Sequence, residues 1–289
     1  MSVAESQAAT ASALLSAPVL RSVMRDGAAS KLANRTISSL VENGLAVGAS
    51  TVRTLIWRCD RWLSRNYRND LVYRRAFLSQ MNSWSDGVLL PEFRAGRSIV
   101  DFLAVTDALH AVEIKSDLDN TSRLDRQLHD YGRIAPLVSV MASERVVERM
   151  LAIPEFQTIG LYWLDANGRV ETVRDARFSC EALDSQVLMR SLRRAEYLRA
   201  LSTLGVTVPD LPNTRVFSYA LAASRNLDPF VFHNAVVEQL RERKPRAGRS
   251  LIARLPEPVR PAILKLDPTR QQISSLQGWM NQEVANVYA

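Results

Sequence analysis

The stretch IVDFLAVTDALHAVEIKSD, residues 99–117, decides the fold because it reads as two short strands joined by a turn. Apolar residues dominate both runs, and residues 106–108 separate them with the small and polar side chains that favour turns. Three charges lie inside the runs: Asp101 in the first, and Glu113 and Lys115 in the second. The stretch predicts a β-hairpin whose strands look buried but carry two acids and a base.

A three-residue turn sets the register of this hairpin. With Val105 opposite Leu109, counting outward places Asp101 directly opposite Glu113, and opposed Cβ atoms lie about 4.5–5.5 Å apart on one face. Lys115 falls on the same face because strand side chains alternate with period two. We expect the other face to pack on the core because it presents five apolar residues. They are Val100, Phe102, Ala104, Val112 and Ile114.

The two opposed carboxylates predict a divalent metal site. Asp101 and Glu113 would repel each other unless a cation lay between them. Mg²⁺ or Mn²⁺ suits such a pair, since hard ions take carboxylate, water and phosphate oxygens, and the backbone carbonyl of Ile114 is a further candidate ligand. The metal would polarise a phosphodiester and activate water, and Lys115 would position the nucleophile or offset developing charge. The alternative is an amphipathic strand with Glu113 and Lys115 exposed and Asp101 paired to Lys115.

The elements around the hairpin alternate between helix and strand. We predict a helix over 70–82, strands over 87–94, 98–105 and 109–115, a helix over 120–135, a strand over 136–143, a helix over 144–153, and strands over 158–165 and 170–175. The order of helix, three-strand meander, helix and strand is that of an α/β core. The predicted domains are a helical N-terminal extension (1–68), this core (69–178) and a helical C-terminal region (179–289).

The flanks carry helix signals of their own. Gly44 and Gly48 should break the N-terminal helices. Asp184 should cap a helix that ends before Gly205, and Asp228 followed by proline fits another helix start. Residues 241–250, RERKPRAGRS, read as a basic linker or loop.

The helix after the hairpin, RLDRQLHDYGRI at 123–134, carries polar residues at helical spacing. Gln127 and Tyr131 are four residues apart and share a face, and Arg123 is four residues further back. Leu124 and Leu128 form the apolar stripe. On a functional interpretation, the polar face turns to the metal and a nucleic-acid backbone. The alternative is a solvated helix face with a half-buried tyrosine.

Together these motifs resemble the PD-(D/E)xK nuclease superfamily. The matching elements are Asp101, the run from Glu113 to Lys115, and Gln127-x-x-x-Tyr131, whose helix resembles that of the RecB-like exonuclease branch. The resemblance covers residues 70–178 and extends to a largely uncharacterised bacterial and phage-borne group. It departs from the family pattern at Val100, where the superfamily name has proline.

The resemblance implies a restriction-endonuclease-like core and a role for each motif residue. Asp101 and Glu113 would bind the metal, and Lys115 would be catalytic. Gln127 and Tyr131 would help to hold the substrate. An upstream acid joins the site in some relatives, and Glu92 matches it best, although it also fits an ordinary charge at a strand edge. Because the superfamily includes inactive binding proteins, the motif alone does not establish activity.

Basic segments flank the acidic centre. Arg58, Arg61, Arg65 and Arg68 have helical spacing and predict one basic ridge that grips phosphates. Residues 51–75 hold seven Arg and two Asp, and residues 241–260 hold seven Lys or Arg and two Glu, whereas 101–130 holds seven acids and three bases. The alternative is a solvated helix surface. The whole chain of 289 residues has a net charge of +7, which favours polyanionic partners.

Composition excludes several other classes. Two cysteines and three histidines cannot supply a zinc finger, and the cysteines should be free thiols in a reducing compartment. No apolar run suits a membrane span, and there is no P-loop or dinucleotide-binding loop. We expect a soluble, cytoplasmic protein with no membrane partner. A sugar hydrolase built on the carboxylate pair would lack aromatic platforms and leave Lys115 unexplained.

The sequence thus predicts a metal-dependent nuclease, with DNA rather than RNA as substrate by resemblance only. The alternative is a catalytically inactive nuclease-fold protein that binds nucleic acid or protein, for example in phage defence or counter-defence. Superfamily members often dimerise, so a homodimer is open by analogy.

Overall fold

The computed structural model describes residues 2–81 and 87–288. Its helices are α1 (Val3–Leu14), α2 (Ala17–Asp26), α3 (Lys31–Glu42), α4 (Val52–Asn66), α5 (Asp70–Met81), α6 (Leu124–Gly132), α7 (Glu144–Leu151), α8 (Ser185–Met189), α9 (Arg194–Thr203), α10 (Asn213–Ser224), α11 (Pro229–Arg241), α12 (Arg249–Ala253), α13 (Arg260–Leu266), α14 (Arg270–Met280) and α15 (Val284–Tyr288). Its strands are β1 (Val88–Ala95), β2 (Ser98–Val105), β3 (Leu109–Lys115), β4 (Leu137–Ala142), β5 (Gly160–Leu164) and β6 (Val170–Arg174).

The chain forms two units. The first comprises Met1–Asn82, Ser116–Leu118 and Lys244–Ala289, and the second comprises Ser83–Lys115 and Asp119–Arg243. Segments of the two units alternate along the sequence. The predicted boundaries at 68/69 and 178/179 give three consecutive domains instead, and that division stays a prediction. Among the described residues, no helix has both the length and the apolarity needed to cross a bilayer.

The second unit contains one six-stranded mixed sheet in the order β1-β2-β3-β4-β5-β6. The first three strands are antiparallel, β3, β4 and β5 run parallel, and β6 returns antiparallel. Helices α6 and α7 make the crossovers that parallel neighbours require. The α/β class and the predicted order of helix, three-strand meander, helix and strand are both confirmed.

The hairpin has the predicted register. Val105 lies opposite Leu109 and Phe102 lies opposite Val112, so the next pair outward is Asp101 and Glu113. Strand β3 is buried along both faces because β2 and β4 flank it and apolar side chains cover the sheet. The alternative of an exposed amphipathic strand is therefore wrong, since Glu113 is only 2% exposed.

The helical end of the second unit corrects one prediction. Asp184 caps α8 by accepting hydrogen bonds from two backbone N–H groups, but α8 is only five residues long and α9 is a separate helix. The break has a local cause, because the side chain of Glu196 accepts the N–H of Arg193 at 2.7 Å and starts α9 there. Gly205 ends α9 with φ 74°, and Asp228 caps α11 as predicted.

The first unit is helical, as predicted for residues 1–68. The glycine-containing turn at 43–48 separates α3 from α4, with Gly44 and Gly48 at φ 74° and 76°. The predicted helix over 70–82 is α5, and its last predicted residue, Asn82, lies outside the described residues. The linker prediction for 241–250 holds for residues 243–248, which are not helical.

Candidate functional site

Glu113 is the centre of the candidate site. Its carboxylate is buried on β3 and accepts hydrogen bonds from three side chains. Lys115 Nζ and Gln127 Nε2 each lie 2.7 Å from Oε1, and the hydroxyl of Tyr131 donates to Oε2. A buried charge needs such partners. The structure therefore brings together residues that the sequence places on two separate elements, β3 and α6.

Asp101 lies beside Glu113 on the neighbouring strand. Its carboxylate Oδ2 accepts the backbone N–H of Ile114 at 2.8 Å, and the residue is half-buried. The alternative in which Lys115 is exposed on an amphipathic strand is wrong. The Lys115 side chain is 11% exposed and pairs with Glu113. The predicted role of the Ile114 carbonyl stays a prediction.

Tyr131 joins strand β2 to the buried carboxylate. It is fully buried, not half-buried, and its hydroxyl lies 2.8 Å from the carbonyl oxygen of Ile99 as well as beside Glu113. Burial raises the pKa of the phenol well above its usual range, and the negative charge of Glu113 raises it further. Tyr131 is therefore a hydrogen-bond donor at neutral pH.

The three polar residues predicted for the face of α6 differ in burial and in contact with Glu113. Gln127 is half-buried and Tyr131 is buried, so both reach Glu113 as the four-residue spacing predicts. Arg123 is exposed at the N-cap of α6, outside the group of side chains that hold Glu113. Its predicted contact with substrate stays a prediction.

A second contact fixes α6, and the sequence interpretation missed it. Asp130 is buried in the last turn of the helix, where its Oδ2 accepts the hydroxyl of Ser98 at 2.7 Å. The turn between β1 and β2 approaches closely, since a Cβ at Gly96 would lie 3.1 Å from Asp130 Oδ1. An acid near a helix C-terminus is disfavoured by the helix dipole. That placement was the available signal that Asp130 needs a specific partner.

Glu92 lies near the site but in an unusual conformation. It falls between Pro91, which pairs with Phe102, and Phe93, which pairs with Val100, so the register places it across from Asp101. Its φ of 50° is left-handed, and its side chain is exposed. In the described part of the chain, no group of three or more His, Cys, Asp or Glu is arranged to hold a metal. Glu92 thus does not complete a three-acid group there.

The donor set nevertheless fits a divalent ion. Asp101 and Glu113 supply hard carboxylate oxygens, and Mg²⁺ commonly keeps several waters beside one or two carboxylates. The amide oxygen of Gln127, which bonds to Glu113 through its nitrogen, is buried and has no hydrogen-bond partner among the described residues. Buried polar atoms are usually satisfied, so this oxygen marks a place for an ion or a water.

The predicted basic ridge is shorter than its spacing suggests. Arg58 is half-buried on α4, and Arg61 and Arg65 are exposed on the same helix. Helix α4 ends before Arg68, because Tyr67 adopts φ −155° and ψ 75°. Inclusion of Arg68 in a helical ridge is therefore wrong.

Arg68 has structural partners instead. Its Nε lies 3.6 Å from Asp117 Oδ2, and its guanidinium covers the ring of Tyr73 with a distance of 5.5 Å to the ring centroid. These contacts lie within the first unit. Phosphate contact by the remaining arginines of α4 stays a prediction.

Two of the three histidines have hydrogen-bond partners inside the second unit. His110 is buried with a ring nitrogen 2.7 Å from Ser139 Oγ, and the Nε2 of His233 accepts the N–H of Leu109. Cys59 and Cys180 are free thiols, as predicted.

The fold and the site define a class, an α/β protein with a mixed sheet and two adjacent carboxylates on its meander. The sequence profile of the family described as bacteriophage P4 protein cII matches residues 67–266, more than half of the chain. The chain belongs to this phage P4 cII family, which bears out the predicted resemblance to a phage-borne group. No curated protein and no solved structure matches this chain.

Proposed function

We propose that this protein is a metal-dependent nuclease with a PD-(D/E)xK-like core that hydrolyses phosphodiester bonds in DNA. The observation that carries the proposal is the convergence of Lys115, Gln127 and Tyr131 on buried Glu113, with Asp101 on the adjacent strand. These residues form the motif that the sequence singled out, and they come from β2, β3 and α6. The strand order of the meander and the parallel β4 agree with the core that such a motif implies.

Each residue has a role in this proposal. Bound Mg²⁺ or Mn²⁺ would polarise the phosphodiester and lower the pKa of attacking water. Asp101 and Glu113 hold the ion. The Lys115 ammonium sits at the partly exposed edge of the site and offers hydrogen bonds and charge to the attacked phosphate. Because Gln127 and Tyr131 both donate to Glu113, they orient that carboxylate as well as contact substrate.

A second candidate is a nuclease-fold binding module without catalysis. The observation that favours it is that Glu113 already has three donors in the protein itself, so the arrangement holds together through its own side chains. In that case the site would be a structural core, and binding would depend on surfaces such as α4.

Cleavage assays separate the two candidates. Plasmid, labelled single- and double-stranded DNA, and RNA would be incubated with Mg²⁺, Mn²⁺ or EDTA. Wild type would be compared with Lys115→Ala and with Lys31→Ala, an exposed lysine on α3 that serves as the matched control. We expect metal-dependent cutting of DNA that falls about 100-fold or more in Lys115→Ala only, in line with the removal of one group that stabilises the transition state. Binding without cutting by all three proteins would reject the nuclease.

A further inference from the structure

The two ends of the Gln127 amide have different surroundings. Its Nε2 lies 2.7 Å from Glu113 Oε1 and 3.3 Å from the hydroxyl of Tyr131. Its Oε1 is buried and has no hydrogen-bond partner among the described residues. The orientation of the amide is set by chemistry, since the reverse orientation would point Oε1 at a carboxylate oxygen that can only accept.

A buried amide oxygen left without a partner is unfavourable. This one belongs to the side chain that also touches the carboxylate proposed as a metal ligand. Divalent cations take amide carbonyl oxygens together with carboxylates. Glu113 keeps acceptor capacity for an ion, since three hydrogen bonds use three of the roughly four acceptor positions of an ionised carboxylate.

We propose that Gln127 Oε1 is a third protein ligand of the divalent ion, beside Asp101 and Glu113. The inference rests on the proposed function, because it needs a metal at this site. It differs from the role that the resemblance implies, in which Gln127 holds substrate. Gln127 then acts at both ends: its nitrogen orients Glu113, and its oxygen binds the cation.

Two substitutions isolate the oxygen. Gln127→Glu and Gln127→Met both remove the nitrogen that donates to Glu113, but only glutamate keeps an oxygen at the end of the side chain. Gln271→Met, at an exposed position on α14, is the matched control. The probes are Mn²⁺ and Mg²⁺ in titration calorimetry, and Eu³⁺, whose luminescence lifetimes in H₂O and D₂O count the waters bound to it. Neither measurement requires catalytic activity.

We expect Gln127→Met to lower Mn²⁺ affinity at least about tenfold, the size of effect typical when a group that supports a metal is removed. The Eu³⁺ ion should gain about one water, because a solvent oxygen replaces the missing ligand. Gln127→Glu should keep the water count and bind at least as tightly as wild type.

Two results would overturn the inference and leave the proposed function intact. In the first, both variants bind like wild type with the same water count, and an ordered water is then the partner of Oε1. In the second, both variants weaken alike with the count unchanged, and the amide then acts only through Glu113. Absence of Mn²⁺, Mg²⁺ and Eu³⁺ binding by wild type would overturn the metal site, and with it the proposed function.

Discussion

The backbone N–H of Ile114 donates a hydrogen bond to the carboxylate of Asp101 at 2.8 Å. This bond lies just beyond Phe102 and Val112, the outermost directly paired residues between β2 and β3. A side chain therefore satisfies a backbone donor where the ladder ends, and the same side chain is a proposed metal ligand. Stability and chemistry can be separated at this position, since any acceptor satisfies the hydrogen bond but a divalent ion binds an ionised carboxylate more strongly than a neutral amide.

Asp101→Asn and Asp101→Ala should behave differently. Asparagine keeps an oxygen for the Ile114 N–H, so its unfolding free energy should stay within about 1 kcal/mol of wild type. Alanine leaves that donor unpaired and should cost about 1–3 kcal/mol. Both should lose metal-dependent cleavage by about 100-fold or more, since the ligand charge is gone. Urea unfolding and DNA cleavage measure the two effects, and equal stability of the two variants would argue against a structural role for the bond.

Tyr131→Phe tests the hydroxyl that lies between Ile99 and Glu113. Removal of this group takes a donor from a buried carboxylate, so we expect a loss of about 1–3 kcal/mol in the free energy of unfolding. Tyr219→Phe is the control, because Tyr219 is 42% exposed and surface changes usually cost less than about 0.5 kcal/mol. Urea titrations of both variants give the comparison. A Tyr131→Phe protein as stable as wild type would mean that the hydroxyl does not support the carboxylate.

Local patterns predicted the meander well. The spans of β2 and β3 follow from two apolar runs and their register follows from one short turn, so Asp101 and Glu113 could be paired without a structure. The face shared by Gln127 and Tyr131 follows from helical spacing. In each case the residues that decide the geometry are near neighbours in sequence or are joined by a tight turn.

Long-range partners could not be predicted in this way. The contact between Ser98 and Asp130 spans 32 residues and depends on how α6 packs on the hairpin. The exposed-strand alternative stayed open because burial of Glu113 depends on β4, which pairs with β3 only after a crossover. The end of α4 before Arg68 depends on the backbone of Tyr67, which no composition signal marks.

Ser98→Ala should weaken the attachment of α6 to the hairpin, because it removes the hydrogen bond to Asp130. The substitution leaves a buried oxygen of Asp130 without its donor, and hydrogen bonds to charged groups contribute about 1.5–3 kcal/mol. We expect the free energy of unfolding, measured in urea, to fall by about that amount. A smaller fraction of the protein should then be active in the cleavage assay. Ser250→Ala, at an exposed position, is the control and should be neutral. If the two alanine variants unfold alike, the contact between Ser98 and Asp130 is not a significant support.

Arg61→Glu combined with Arg65→Glu tests nucleic-acid binding by α4. Both side chains are exposed, so the fold should tolerate the change, and DNA affinity should fall. The dependence of log affinity on log salt should weaken by about one unit for each phosphate that the variant no longer binds. The matched control reverses Arg145 and Arg149, an exposed pair with the same spacing on α7. If both double variants weaken binding equally, the effect is one of net charge rather than of this helix.

His110 should make stability depend on pH below neutrality. Burial lowers its pKa from 6.5 to about 4 in the folded protein. Between these values the unfolded chain binds the proton and the folded chain does not, so the contribution of His110 is present above pH 6.5 and is lost as pH falls toward 4. At 1.36 kcal/mol per pKa unit, the loss approaches about 3 kcal/mol.

His110→Gln should therefore flatten the dependence of unfolding free energy on pH between 7 and 4.5, because glutamine does not titrate. Other groups titrate in the same window, so the informative quantity is the difference between variant and wild type. His129→Gln, the same substitution at an exposed position on α6, is the control. Urea titrations at several pH values measure all three slopes. A His110→Gln slope equal to that of wild type would show that folding does not lower the pKa of His110, despite its burial against Ser139.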